Sequence, residues 1–281
     1  MYGLFAMSAP SRSRGRVARA LLLALGLSGL ALGISIPNAA CKPKSTAPTL
    51  NGVWEVVQVA VDSADQPHWL YQPDDPRLLG RELLVDAERV HFNYGRGDCK
   101  PTSWKIRNTS WGQLLSESFR RSESEHLPRS PRPSDFGSKL ASGTPVSVHS
   151  PKCVQSDPSR PAPWADAWFV LQGRDSLAMR VDGTALLMLS RVPAGAKPRA
   201  SFDCARATSP TEKTLCSQTA LAGLDRSVSA AWLGALERKP SDTARLHDEQ
   251  AAWLVKRDRC GTDAACLEEQ LQLRIEELVQ E

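Results

Sequence analysis

Seven cysteines are the residues of this chain whose type and spacing could do chemistry. Four stand in two close pairs near the C-terminus, Cys204 with Cys216 and Cys260 with Cys266. Cys99 and Cys153 lie farther apart upstream, and Cys41 stands alone near the N-terminus. Thiols so placed could form cystines, bind zinc or carry a lipid. The intervals within the two close pairs, eleven and five residues, do not resemble the short Cys-x-x-Cys hooks of structural zinc sites. Cystine formation in an oxidising compartment is the expectation. An odd cysteine in an exported chain needs a use of its own. With Cys41 set aside, six remain for three bridges. The four C-terminal cysteines allow three connectivities. The local one, 204–216 and 260–266, spans a single turn-forming segment in each pair, and Cys99 is left for Cys153.

Other reactive groupings are lacking. His68, His91, His126 and His149 are scattered, with no pair at a metal-binding spacing. There is no Gly-x-Ser-x-Gly, His-Glu-x-x-His or phosphate-cradling Gly-Lys-Ser/Thr segment. Arg96-Gly97-Asp98 spells an adhesion tripeptide but reads as a turn. The expectation is a protein that binds and does not catalyse, without metal or cofactor.

The first 40 residues carry Arg12, Arg14, Arg16 and Arg19 and no acid, then an uncharged run from Ala20 to Ile36. A basic start, a short apolar run and small residues describe a secretory signal over 1–40; about 20 apolar residues would be needed to span a bilayer. Ala39-Ala40-Cys41 resembles a bacterial lipobox, with Asn38 where such motifs usually have Leu. The resemblance implies that Cys41 carries a lipid and that 41–50 is a tether holding the protein to the membrane of the periplasm or outer envelope. The four arginines account for the whole formal charge of +4. The remainder is neutral, and no nucleic-acid partner is expected.

Residues 51–192 read as a mainly-β domain, with strands expected at Val53–Val61, Glu82–Val85, Arg89–Tyr94, Ala167–Gln172, Leu177–Val181 and Ala185–Leu189. Asp182-Gly183 predicts a two-residue hairpin turn. Ser116 to Pro163, rich in Ser, Pro and Arg, reads as long loops. Gly52-Val53-Trp54 with the later Arg191 is similar to the lipocalin pattern, in which Gly-x-Trp opens the first strand and an Arg packs over the indole. That resemblance implies a barrel.

Residues 193–200 have linker composition, and 201–281 is patterned as helices. Ser209-Pro210-Thr211-Glu212 makes a capping box. Leu221, Leu224, Val228, Trp232, Ala235 and Leu236 form one stripe. Leu246, Gln250, Trp253, Leu254 and Arg257 share a second face, and Leu267, Leu271, Ile275 and Leu278 a third. Gly261 suits a left-handed C-cap, and Asp263 an N-cap. The expected architecture is α+β: a mainly-β domain followed by a small disulfide-stapled helical bundle.

The C-terminal third resembles the lysozyme-inhibitor LprI-like domain of exported bacterial proteins. The resemblance rests on Phe202-Asp203-Cys204, Glu212, Cys216, Leu224-Asp225, Gln250-x-x-Trp253-Leu254, Arg257-Asp258-x-Cys260, Cys266-Leu267 and Arg274-Ile275. It implies an envelope lipoprotein that binds lysozyme or another muramidase, with the matched residues serving as scaffold. Residues 201–281 hold 14 acidic and 10 basic side chains, a balance suited to a cationic partner. The alternatives are a non-inhibitory envelope interaction or stress protein, and a carrier of small ligands inside the β domain.

Overall fold

The computed structural model describes residues 49–65, 70–95, 97–119, 130–154, 164–181 and 183–281. The expected signal over 1–40 and the lipid site at Cys41 lie outside these residues, as do His68, Arg96, His126 and Asp182. Runs of Val, Leu and aromatic residues become eight strands: β1 (Gly52–Val61), β2 (Glu82–Val85), β3 (Val90–Phe92), β4 (Pro101–Ser110), β5 (Pro145–Cys153), β6 (Phe169–Leu171), β7 (Ser176–Val181) and β8 (Ala185–Val192). They form one antiparallel sheet in the order β3-β2-β1-β8-β7-β6-β5-β4, curled as a half-barrel. Val90 of β3 makes an isolated antiparallel bridge to Cys99. Cys99 is in turn bonded to Cys153 at the end of β5. One corner thus ties the β3 edge to the β4–β5 edge.

Alternation along each strand sorts side chains between the two faces. Trp54, Val56, Val59, Leu83, Phe92, Phe169, Leu177, Met179, Leu187 and Leu189 share the larger core. Ala60, Val148, Val170, Ala178 and Leu186 face the other way, under Trp111, Leu114 and Leu115 of α1 (Trp111–Ser118) and Phe136 of a short 3-10 turn. Strands β7 and β8 are therefore covered on both sides, which explains their nearly continuous apolar sequence.

Two expectations need correction. The stretch from Ser116 to Pro163 is not loop throughout. It contains β5, which pairs with β4 from Pro145 to Cys153. Pro145 and Pro151 obscured it, yet both lie outside the short pairing with β6, which involves only Val148 and His149. The β7–β8 connection is also longer than expected. Val181 pairs with Ala185, so three residues form the loop, with Gly183 at φ 69°.

The C-terminal helices are α2 (Pro210–Leu215), α3 (Thr219–Arg238), α4 (Thr243–Asp258) and α5 (Ala264–Gln280). Ser209 and Glu212 form the reciprocal capping box of α2, and Asp263 caps α5 through the Ala265 and Cys266 amides. Leu215, Leu221, Leu224, Val228, Leu246, Trp253, Leu267, Leu271, Ile275 and Leu278 make a separate core. Cystines join Cys204 to Cys216 and Cys260 to Cys266.

Strands and helices share a seam within one unit, Thr46–Glu281. Helix α3 is buried on two sides. Besides its apolar stripe, Gly223 and Ser227 meet the ledge of Leu79 and Gly80, where Ser227 Oγ donates to the Leu79 carbonyl at 2.6 Å. A Cβ on Gly223 would lie 2.2 Å from the Gly80 carbonyl oxygen. The ledge is itself fixed. Asp75, fully buried, accepts from the Gln72 and Arg77 amides and from the Arg77 guanidinium. Gly223→Ala is expected to lower stability by about 1–3 kcal/mol through overpacking, despite the better helix propensity of alanine. Gly234→Ala on the same helix meets only the movable tip of Arg238 and should stabilise by up to about 1 kcal/mol. Urea midpoints of the two variants check the contrast.

Candidate functional site

Of the residues that carry the resemblance, Leu224, Asp225, Trp253, Arg257, Leu267, Arg274 and Ile275 are buried in the helical module, Glu212 and Gln250 are half-buried, and Asp203 and Asp258 are exposed. Asp203 caps the turn at Cys204–Arg206. Glu212 accepts from the Thr208 and Ser209 amides, which hold its carboxyl below the usual range. Asp225 accepts the Ser201 amide at 2.7 Å and pairs with Arg257 at 3.9 Å. Arg257 also binds Asp258 through two nitrogens. The Trp253 ring has the guanidiniums of Arg257 and Arg274 at 5.5 and 5.9 Å from its centroid, and Arg274 donates to Gln250 at 3.0 Å. Phe202 packs on the same core. Asp225, Gln250, Trp253, Arg257 and Arg274 thus form one connected cluster inside the bundle, while Asp203 and Glu212 act as caps on backbone amides.

At the start of the sheet, Trp54 and Arg191 are direct cross-strand partners. The guanidinium lies 4.0 Å from the indole centroid and donates to the carbonyls of Thr49, Asn51 and Arg174. Gly52 has φ 141°, and a Cβ there would stand 2.5 Å from Arg191 Nη1. The glycine is required because the arginine crosses over it. The larger core of the sheet is filled by side chains, Trp54, Leu83, Phe169, Leu177 and Met179 among them, each fully buried.

Clefts lie instead along the seam. One of about 270 Å³ runs between β1 and α3, lined by Val57, Leu79, Gly80, Gly223 and Ala230, with Glu55 and Arg226 at its end. A second, of about 130 Å³, shares Glu55, Val57 and Arg226 and is lined further by Arg191, Lys197, Arg199 and Thr219. A third, of about 230 Å³, is lined by Glu82, Arg89, His91, Asn93 and Glu268. No group of three His, Cys, Asp or Glu side chains could hold a metal ion among the described residues. His91 pairs with Asp98, and Gly97 accepts from Trp164 Nε1, so the described part of the Arg-Gly-Asp segment is tied into the fold.

Charge at the seam is unevenly solvated. Arg81 is fully buried, and burial pulls its guanidinium down to about 10, opposed by Tyr94, Glu268 and Glu276. It remains cationic at neutral pH. Glu55 and Glu82 are direct cross-strand neighbours. Glu55 is paired with Arg226 at 2.6 Å. Glu82 keeps a buried oxygen without a hydrogen-bond partner. Burial pushes the Glu82 carboxyl up, Glu55 adds to the rise, and a hydrogen bond from Thr219 opposes it. A carboxyl raised in the folded state stabilises most when neutral, and that contribution is lost as pH rises through its folded value. Glu82→Gln should therefore raise the urea midpoint at pH 7 and leave it unchanged at acid pH, below the ordinary carboxylate range. An equal shift at both pH values would refute the electrostatic cause.

Sequence reasoning missed Val57, Leu79, Lys197, Arg199, Arg226 and Ala230. The available signal was a second stripe on α3, Ala220, Gly223, Ser227 and Ala230, of small residues at helical spacing. No family model, curated protein or solved structure matches this chain.

Proposed function

We propose that this is an exported envelope protein that acts by binding, and that its helical module engages a lysozyme-type muramidase. The observation that carries the reading is the module itself. Two cystines and the Asp225–Arg257–Trp253–Arg274–Gln250 cluster use the residues of the LprI-like pattern as one internal scaffold. Acids are in excess over 201–281, 14 against 10 basic side chains, and one of the acids (Asp225) and two of the bases (Arg257 and Arg274) are buried in the scaffold. Long-range attraction of a cationic enzyme follows from that balance. The three cystines favour an extracytoplasmic setting. In this reading the N-terminal segment exports the chain, Cys41 anchors it through lipid, and the sheet serves as a lipocalin-like spacer and platform.

Purified, disulfide-intact protein added to a lysozyme assay on bacterial cell walls should slow lysis, less so as salt increases. Undiminished lysis at excess protein overturns the inhibitor reading. Association with lysozyme that leaves lysis unaffected would favour a non-inhibitory docking protein.

A further inference from the structure

We infer that the seam between β1 and α3 is a binding site for a single-chain anionic amphiphile, with the alkyl chain in the groove and the head group in the adjoining basic cleft. The inference does not depend on the muramidase reading.

The groove exists because of a β-bulge. Val56 pairs with Leu189 and Gln58 with Met188, so Val57 is the extra residue on β1. A bulge re-aims a side chain out of the ladder. Val57 is 53% exposed and lines both clefts. The loop opposite completes the distortion: the Val56 amide donates to Arg81, and the Gly80 amide donates to Val56. Leu79, Gly80, Gly223 and Ala230 supply the remaining apolar wall. The close approach of Gly80 and Gly223 forms the floor where two backbones meet. The space of about 270 Å³ is enough for a short alkyl chain, since one water occupies roughly 30 Å³ of liquid.

The head-group end is set by charge. Of four cations lining the second cleft, two are committed. Arg191 is held by three backbone carbonyls and Asp175, and Arg226 by Glu55 and the Arg199 carbonyl. Among the described residues, the side chains of Lys197 and Arg199 have no hydrogen bond or ion pair. Glu55 is the one carboxylate in the lining, and Arg226 neutralises it. An apolar wall that ends beside two uncommitted cations complements a molecule with an apolar tail and an anionic head.

The test uses the purified, disulfide-intact chain and calorimetric titration with octanoate and octyl phosphate. Octanol serves as the headless control and inorganic phosphate as the tailless one. Saturable one-site binding of either octyl anion, at least about tenfold tighter than both controls and weakened by salt, is expected. Lys197→Glu with Arg199→Glu should lower that affinity by about tenfold or more through like-charge repulsion. Val57→Asp should do the same from the tail end, with near-UV circular dichroism confirming an unchanged fold in both variants. The inference is overturned by equal binding of octanol, by equal binding of inorganic phosphate, or by absence of saturable binding at millimolar ligand. It is also overturned if the charge-reversed variant binds as well as the parent.

Discussion

Replacing Cys99 and Cys153 together by alanine is expected to cost more stability than removing either C-terminal cystine. The bridge closes a separation of 54 residues, against 12 for Cys204–Cys216 and 6 for Cys260–Cys266. In the chain-entropy model these correspond to about 4, 3 and 2 kcal/mol. Cys99 is also fully buried in the core of the sheet and bridges to Val90, so its loss loosens the corner where the two edges meet. Urea unfolding of the three double-alanine variants gives the order directly. If the 99–153 variant is the least affected, the bridge does not organise the sheet as described.

The second large effect is expected at Trp253. Truncation of a buried tryptophan to alanine costs about 3–5 kcal/mol. Here the ring is 8% exposed and has two guanidiniums within 6 Å of its centroid, so its removal also leaves Arg257 and Arg274 facing a cavity. Trp253→Phe keeps an aromatic face for the cations and should lose less. A urea midpoint read beside lysozyme association separates scaffold from contact residue. If Trp253→Ala left the urea midpoint unchanged while abolishing association with lysozyme, the ring would belong to the binding surface, and the internal role assigned to it would be wrong.

The helical third was the most legible part of the sequence. Its caps, its apolar stripes and the break at Pro240 are local, and local chemistry decides them: Ser209 with Glu212, Asp263 with the first amides of α5. The sheet was legible where apolar runs were short and clean, in β1, β2, β3, β6, β7 and β8. Strand β5 was missed because its pattern is broken by prolines, and β4 because nearly all of it is exposed or half-buried. Neither has an apolar face strong enough to stand out without its neighbour. Among the residues that carry the resemblance, Asp225, Trp253, Arg257 and Arg274 are turned inward, while Asp203 and Asp258 are exposed. The groove at the seam is carried by residues that looked unremarkable, such as Val57 and Ala230.

Composition and spacing by themselves determined the α+β division, the helix boundaries within the last third and two cysteine pairs suited to local bridges. Those properties depend on hydrogen bonds and apolar periodicity within a few turns of chain. Only the tertiary structure decided that the module docks on the sheet, that Gly223 lies against Gly80, and that a bulge extrudes Val57 beside Lys197 and Arg199. Such contacts join residues more than a hundred positions apart. They depend on close backbone approach and on which charges find partners, and neither is written in the local pattern of the chain.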